Sequence, residues 1–178
     1  MATDQDDFKG LIRNVPDFPK KGIVFRDITT LIKDSEALRR AVKQMADPFR
    51  QERVEVVVAV ESRGFIFGAP VALELDAGFV PVRKPGKLPA QTTSETYSLE
   101  YGRDTVQIHT DAIKPGQRVL LVDDLLATGG TMAATARLVE RLGGKVVGAV
   151  FLVELSFLAG RARLGKYRTV ALVDYASE

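Results

Sequence analysis

The chain of 178 residues is long enough to bury a substantial core, and we predict a single domain over residues 1–178. Hydrophobic residues make up 46% and charged residues 27%, a composition typical of globular proteins that excludes the disordered and fibrous classes. The 25 Lys and Arg against 23 Asp and Glu leave a net charge of +2, too small to predict nucleic acid as a partner, and the lack of Cys excludes disulfides, thiolate nucleophiles and Cys-ligated metals.

The sequence shows no membrane signal. Its start, MATDQDD, is acidic and polar, which is unlike a signal peptide. The longest clearly apolar run, VVGAVFLV at residues 146–153, is far shorter than the roughly 20 residues that a membrane-spanning helix needs. We therefore expect a soluble cytoplasmic protein without a membrane partner.

The first predicted helix follows Asp34 and Ser35, either of which can cap a helix N-terminus. Pro48 lacks a backbone N–H and is expected to end or bend this helix. The apolar residues that repeat at helical spacing along it are Leu38, Val42, Met45 and Phe49.

Strand-like and helix-like segments then alternate. The runs rich in β-branched residues, which predict strands, are residues 54–60, 79–83, 118–122, 145–153 and 167–173. A second helix is predicted from near Gly130 to the stop signal at Gly143 and Gly144. Continuous apolar runs suit parallel strands that are covered on both faces. The pattern therefore predicts an α/β fold, with an open, mostly parallel, twisted sheet flanked by helices.

Two segments break the alternation and are predicted to be functional insertions. Residues 14–33 are irregular and contain several prolines. Residues 84–109 contain a polar loop and a hairpin-like pair of segments flanking YGRD. His109, in the second insertion, is assigned no chemistry.

The stretch VLLVDDLLATGGT, residues 119–131, combines a buried strand, two carboxylates and a glycine-rich turn. Asp123 and Asp124 are expected at the carboxyl end of the strand, where open α/β sheets bind their ligands. The turn leads into a helix, so its unpaired N–H groups and the helix dipole suit a phosphate. The carboxylates suit hydroxyl groups, or magnesium attached to the same ligand, so the pattern fits a ribose 5-phosphate. The alternative is an acidic turn before a helix capped by Thr128.

Basic residues occur at two further places. Arg63 follows another strand end in ESRG, where its guanidinium can hold a phosphate or form a surface ion pair. Arg83, Lys84 and Lys87 surround a Pro-Gly turn in RKPGKLP, which is either an anion site or a solvated loop.

VLLVDDLLATGGT resembles the binding motif for 5-phosphoribosyl-1-pyrophosphate (PRPP) of the type I phosphoribosyltransferases. Nearly the whole chain is similar to the adenine-specific branch of that family, with no departure at a motif position. The stretches that carry this likeness are PDFPKKGIVFRDIT (16–29), ESRGFIFGAPVA (61–72), VPVRKPGKLP (80–89) and ETYSLEYG (95–102). The resemblance implies the type I phosphoribosyltransferase fold, with a small N-terminal hood and base-recognition segment at residues 1–33 and a flexible lid loop and hairpin at residues 84–109.

The resemblance also implies an activity. Such an enzyme transfers the phosphoribosyl group of PRPP to N9 of adenine and gives AMP and pyrophosphate in purine salvage. It implies a dependence on Mg²⁺, which PRPP and water would hold mainly, with no direct protein ligand. Small-molecule substrates and a homodimer are the partners that it implies.

Site residues follow from the same resemblance. Those expected at the ribose 5-phosphate are Asp123, Asp124, Ala127, Thr128, Gly129, Gly130 and Thr131. Those expected at the pyrophosphate are Ser62, Arg63, Arg83, Lys84 and Lys87. Those expected at the adenine are Val24, Phe25, Arg26 and Leu155. A non-proline cis peptide is implied near Glu61 and Ser62, and Arg83 is implied to reach a neighbouring subunit.

The lid segment PAQTTSETYSLEYG is polar and too long for a tight turn, so it is expected to close over the substrate. The resemblance makes Glu100, Tyr101 and Arg63 the catalytic residues. Glu100 would share the N9 proton as a general acid/base, and Tyr101 would cover the site. Without the resemblance, Glu100 beside Tyr101 is an ordinary exposed pair, and Phe25 belongs to an edge strand with its ring in the core.

Two other functions stay open at this point. PRPP-binding regulators share the fold, but they usually add an N-terminal DNA-binding domain, and the stretch before Asp34 is too short for one. A related enzyme could use guanine, hypoxanthine or xanthine, since the residues alone do not decide which base is bound.

Overall fold

The computed structural model describes residues 4–98 and 102–177, with side chains from Phe8 onward. The α-helices in these residues are α1 (Asp4–Leu11), α2 (Thr29–Ile32), α3 (Ser35–Ala46), α4 (Gly64–Glu74) and α5 (Gly130–Arg141). The strands are β1 (Arg13–Val15), β2 (Phe25–Asp27), β3 (Val56–Val60), β4 (Gly78–Val82), β5 (Thr92–Ser98), β6 (Arg103–His109), β7 (Arg118–Leu126), β8 (Lys145–Leu155) and β9 (Thr169–Tyr175). Short 3₁₀ helices span Asp47–Glu52, Ser156–Leu158 and Gly160–Leu164.

The centre of the molecule is a five-stranded parallel sheet with the strand order β4-β3-β7-β8-β9. Helices cover both faces, so the predicted α/β class is confirmed. The connection through α4 leads outward from β3 to β4, and the connection through α5 leads the other way, from β7 to β8. The order in which successive strands are added therefore reverses between the parallel neighbours β3 and β7, and open α/β sheets leave a crevice for ligands at such a switch point.

Strand β7 is longer than the sequence predicts. It was expected to end at residue 122, with the two carboxylates after it, but it continues to Leu126. The reason is its neighbour β8, which runs to Leu155 and pairs Asp123 with Phe151 and Leu125 with Val153. Asp123 and Asp124 therefore lie within the strand, and their positions are fixed by sheet pairing.

The two predicted helices are confirmed, with one correction. The carboxylate of Asp34 caps α3 by accepting hydrogen bonds from the N–H groups of Glu36 and Ala37. The α-helix ends at Ala46, before Pro48, and the chain continues as a 3₁₀ helix. The residue that caps α5 is Gly129, whereas Thr128 was the predicted cap in the alternative interpretation of this turn.

Side chains of the sheet alternate between two cores. Val57 and Ala59 of β3 pack in the core that α3 and α4 cover, together with α1. Val56 and Val58 point to the opposite face, which α5 and the β5–β6 hairpin cover. Burial on both faces explains why these strands read as continuous apolar runs.

The N-terminal hood contains more structure than predicted. Helix α1 was not expected, because its sequence DQDDFKGL is mostly polar, but Phe8 and Ile12 are buried against the main core. Strands β1 and β2 form a separate antiparallel pair that places Val15 opposite Phe25. The structure also confirms the cis peptide between Glu61 and Ser62.

The second insertion is the predicted hairpin. Strands β5 and β6 pair from Thr92 opposite His109 to Ser98 opposite Arg103. The segment expected as a flexible lid is therefore largely strand up to Ser98. Arg137 and Arg141 of α5 both form ion pairs with Glu95 and fasten the hairpin to the helix. Among the helices of the described residues, none is long and apolar enough to cross a membrane.

Candidate active site

A cavity of about 550 Å³ opens at the carboxyl ends of β3 and β7, where the strand order reverses. Its lining is mostly polar and charged, which suits a polar substrate better than an apolar one. The lining residues are Val60, Glu61, Ser62, Arg63, Lys84, Tyr97, Asp104, Asp123, Asp124, Leu125 and Thr131. Six residues predicted at the site, Ser62, Arg63, Lys84, Asp123, Asp124 and Thr131, are thereby brought together.

A smaller cavity of about 80 Å³ adjoins this one, sharing Asp123, Leu125 and Thr131 with it. We call it the phosphate cradle. Its wall is the turn from the end of β7 into the first turn of α5, residues 125–132. The first N–H groups of a helix have no partner within it, so they are available to an anion there.

Close backbone packing shapes the phosphate cradle. Gly129 has a φ of +77°, and a Cβ at this position would lie 2.4 Å from the carbonyl oxygen of Gly160. A Cβ at Gly160 would lie 2.0 Å from the carbonyl oxygen of Ala127. Only glycine fits at either position, because the obstacle is backbone in both cases.

The two adjacent carboxylates have different partners. The Asp124 carboxylate lies 2.8 Å from Nε of Arg63 in an ion pair, while Oδ1 of Asp123 accepts a hydrogen bond of 2.9 Å from the backbone N–H of Asp124. Burial raises the pKa of both groups, and the neighbouring Asp124 charge raises that of Asp123 further. Arg63 opposes the rise at Asp124. The pair therefore carries a cost in stability that a ligand with hydroxyl donors would relieve.

A hydrogen-bonded chain crosses the cavity from the phosphate cradle to Lys84. The Thr131 hydroxyl lies 2.8 Å from the Tyr97 hydroxyl, which lies 3.0 Å from Oδ2 of Asp104. The same Asp104 oxygen forms an ion pair with Nζ of Lys84. Although burial alone would raise the pKa of Asp104, the ammonium of Lys84 lowers it below its usual value.

Arg83 and Lys87, predicted at the pyrophosphate, do not line the cavity. The Arg83 guanidinium lies 3.0 Å from the Glu61 carboxylate and donates to the backbone carbonyl of Lys87. The Glu61 carboxylate also accepts from the N–H of Lys84. Within this chain, Arg83 therefore holds the loop that carries Lys84.

None of the four predicted adenine-binding residues lines the cavity. The ring of Phe25 lies 5.5 Å from the Arg63 guanidinium and is half-buried, in an edge strand but outside the core that the residues alone suggested. Arg26 turns its side chain to Asn14 and to the ring of Tyr175. Val24 precedes β2, and Leu155 ends β8 against the main core. Among these four, Phe25 contacts a residue that lines the cavity, Arg63.

Glu100 and Tyr101 lie outside the described residues, so their predicted roles stay predictions. Tyr97, Asp104 and Leu125 also line the cavity, although the sequence did not predict them as site residues. Tyr97 belongs to the motif ETYSLEYG, which was the one available signal.

No three His, Asp or Glu side chains gather into a metal-binding cluster in the part of the chain that the structure describes. The oxygen atoms of Asp123 and Asp124 nevertheless line the cavity and are of the type that Mg²⁺ prefers, directly or through water. The residues present thus fit a magnesium ion that a polyanionic ligand brings with it.

Comparison with known proteins agrees with this geometry. The family model described as "Phosphoribosyl transferase domain" matches residues 29–172. Adenine phosphoribosyltransferase of Desulfitobacterium hafniense (strain Y51) is 58% identical over 169 residues, which cover 95% of this chain and 98% of that protein.

Solved structures show the same likeness. The enzyme of that name from Thermoanaerobacter pseudethanolicus superposes with a TM-score of 0.93 at 52% identity, covering 96% of this chain and 99% of the other. The Saccharomyces cerevisiae enzyme, solved with adenine and an imino-altritol bisphosphate, has a TM-score of 0.90 at 37% identity and covers 97% and 99%. The chain therefore belongs to the adenine phosphoribosyltransferase family.

Proposed function

We propose that the protein transfers the 5-phosphoribosyl group of PRPP to adenine and releases AMP and pyrophosphate. The observation that carries this proposal is the continuity of the phosphate cradle with the larger charged cavity, which share Asp123, Leu125 and Thr131. A substrate with a phosphate at one end and a diphosphate at the other fits these two adjoining cavities, with its phosphate in the phosphate cradle and its diphosphate in the larger one. The purine specificity is supported by the family and by the adenine bound in the yeast structure.

In this arrangement the ribose phosphate lies in the phosphate cradle, where the backbone N–H groups and hydroxyls of residues 127–131 donate to it. Asp123 and Asp124 accept hydrogen bonds from the ribose hydroxyls. Ser62, Arg63 and Lys84 then face the diphosphate from the other side of the cavity. Mg²⁺, held mainly by PRPP and water, would neutralise part of the charge that develops on the leaving pyrophosphate.

The reaction needs no covalent nucleophile from the protein. The bond from C1′ to the pyrophosphate oxygen breaks with its electron pair leaving on pyrophosphate, and the N9 lone pair forms the new bond to C1′. The N9 proton passes to a base, the role that we assign to Glu100. Tyr101 covers the site, and Phe25 offers an aromatic face for the purine, with Val24, Arg26 and Leu155 completing the base site.

The same proposal includes a homodimer in the cytoplasm. Arg83 and Lys87 would bind at the pyrophosphate, and Arg83 would also reach the neighbouring subunit. Equilibrium sedimentation tests the dimer. If Arg83 binds at the pyrophosphate, Arg83→Ala should weaken pyrophosphate binding in addition to removing the ion pair with Glu61.

The test of the activity is Mg²⁺-dependent pyrophosphate release from PRPP with adenine, guanine, hypoxanthine or xanthine, with Glu100→Ala assayed in parallel. Release with adenine alone is expected, with a lower kcat for the variant. Release with a 6-oxopurine would contradict the base specificity. PRPP binding without release for any base would contradict catalysis and favour a regulator.

A further inference from the structure

Both cations that line the cavity are already paired with carboxylates that line it too. Arg63 pairs with Asp124, and Lys84 pairs with Asp104. Asp123 and Asp124 are needed for ribose under the proposed function, but no part of the substrate is assigned to Asp104. The Asp104 carboxylate repels a diphosphate bound in the same cavity and so weakens its binding. A negative charge at this position therefore needs a functional explanation.

The position of Lys84 does not depend on Asp104 alone. Its backbone N–H donates to Glu61, which Arg83 holds in turn, so the loop is fastened independently of the ammonium group. An ammonium group has three N–H donors, and the Lys84 side chain is 41% exposed. Asp104, whose side chain is 30% exposed, is thus a competitor for the ammonium of Lys84 and is not its sole support.

Asp104 also controls a second donor. The single hydroxyl proton of Tyr97 points to the Asp104 carboxylate, an acceptor only, so Thr131 must donate to the Tyr97 oxygen. Without ligand, the carboxylate thus occupies donors at both ends of the cavity, Lys84 directly and Thr131 through Tyr97.

We propose that Asp104 is a positioning residue that acts through Lys84 as a replaceable counter-ion. Asp104 forms an ion pair with Lys84 while the cavity is without substrate. By competing for the Lys84 ammonium it lowers the affinity for diphosphate, so that pyrophosphate is released. This inference rests on the proposed function, because it takes diphosphate as the ligand of Lys84.

The experiment is calorimetric titration of the full-length protein with pyrophosphate in the presence of Mg²⁺. Asp104→Asn keeps the shape and removes the charge, and we expect it to bind pyrophosphate about fivefold more tightly or better. The KM for PRPP should fall in the same variant, kcat should not rise, and the KM for adenine should stay unchanged. Asp104→Glu should restore wild-type affinity.

Three variants separate this role from a structural one. In a Lys84→Gln background, Asp104→Asn should change pyrophosphate affinity much less, because the ammonium group for which Asp104 and diphosphate compete is gone. Tyr97→Phe keeps the Lys84 ion pair and frees the Thr131 hydroxyl, so its effect on pyrophosphate affinity should be smaller than that of Asp104→Asn. Asp111→Asn removes an equal charge from an exposed residue after β6 and serves as the charge control.

Each outcome decides between the two proposals. If wild-type protein neither binds nor releases pyrophosphate, the proposed function fails. If wild type binds it and Asp104→Asn binds with equal or lower affinity, the counter-ion role is overturned. The same holds if the gain in affinity persists in full after Lys84→Gln.

Discussion

The phosphate cradle and the base-recognition segment at β2 face the same active site but are built in different ways. The cradle is backbone, held by strand pairing on both sides of β7 and by the close contact of Gly129 with Gly160. The base segment is a two-stranded sheet whose side chains are half-exposed and held by side-chain contacts such as Arg13 with Asp27. A single added methyl group should therefore disrupt the phosphate cradle. In the base-recognition segment, each substitution should weaken adenine binding by a smaller amount.

The largest effect is expected at Gly129, where two backbone segments are in close contact. Gly129→Ala forces a Cβ into the carbonyl of Gly160 at a positive φ, and we expect a loss of about 3 kcal/mol in the free energy of unfolding, with at least tenfold weaker PRPP binding. Urea unfolding and the KM for PRPP measure the two effects.

The matched control for this change is Gly116→Ala. Gly116 has a similar φ of +85°, but a Cβ there meets nothing within 4 Å. It should cost about 1 kcal/mol and leave the KM for PRPP unchanged. Equal behaviour of the two variants would refute the idea that close packing shapes the phosphate cradle.

The second prediction separates function from stability within the cradle strand. Asp123→Asn should lower kcat/KM for PRPP by about tenfold or more, because a charged acceptor for the ribose hydroxyls is lost. It should also raise the free energy of unfolding at pH 8 by about 1 kcal/mol, because a partly buried charge beside the Asp124 carboxylate is removed.

The pH dependence gives the sign of this effect. Since the folded pKa of Asp123 is raised above 3.8, its ionisation destabilises the wild type as pH rises from 3.8 through the folded value. The stability gained by the variant should thus appear across that range and vanish in acid. Urea unfolding at several pH values tests it, with exposed Asp111→Asn as the control, and a constant gain at all pH values would contradict the assignment to Asp123.

The third prediction concerns the base segment. Phe25→Leu should raise the KM for adenine about tenfold, since stacking of a base on an aromatic ring contributes roughly 1–3 kcal/mol. The KM for PRPP should change little. Phe18→Leu alters the ring that lies 5.3 Å from Phe25 and is 51% exposed, so it should have a smaller effect on adenine. An adenine KM unaffected by Phe25→Leu would remove this residue from the base site.

The smallest effect is expected within the hood. Hydrogen bonds from Arg13 first, and from Thr29, lower the pKa of Asp27 to about 2, so the contribution of this group to stability is present above 3.8 and is lost as pH falls towards 2. Arg13→Ala should raise the pKa of Asp27 towards 3.8. NMR titration of the Asp27 carboxyl measures it, and an unchanged pKa would show that Arg13 is not the cause.

Local patterns predicted much of the fold and part of the site. The cap at Asp34, the start of α5 near Gly130 and the apolar run of β7 depend on neighbours along the chain, and the structure confirms them. The length of β7 was wrong, because the partner strand β8 decides how far its hydrogen bonding continues.

Long-range contacts limited the prediction of site residues. Lys84, Tyr97 and Asp104 carry no pattern that links them, and it is the packing of the hairpin on α5 that brings Tyr97 to Thr131. Arg83 and Lys84 are adjacent in sequence, but one faces Glu61 and the other faces the cavity, a difference set by the fold.

Residues that are close along the chain are enough to predict the alternating α/β pattern, the glycine-rich turn of the phosphate cradle and the pair of carboxylates. The tertiary structure alone decided which cations face the cavity and which carboxylates neutralise them. These pairings join residues 20 to 61 positions apart, as in Lys84 with Asp104 and Arg63 with Asp124, and only the packing of the hairpin and strands around the carboxyl ends of β3 and β7 brings them together.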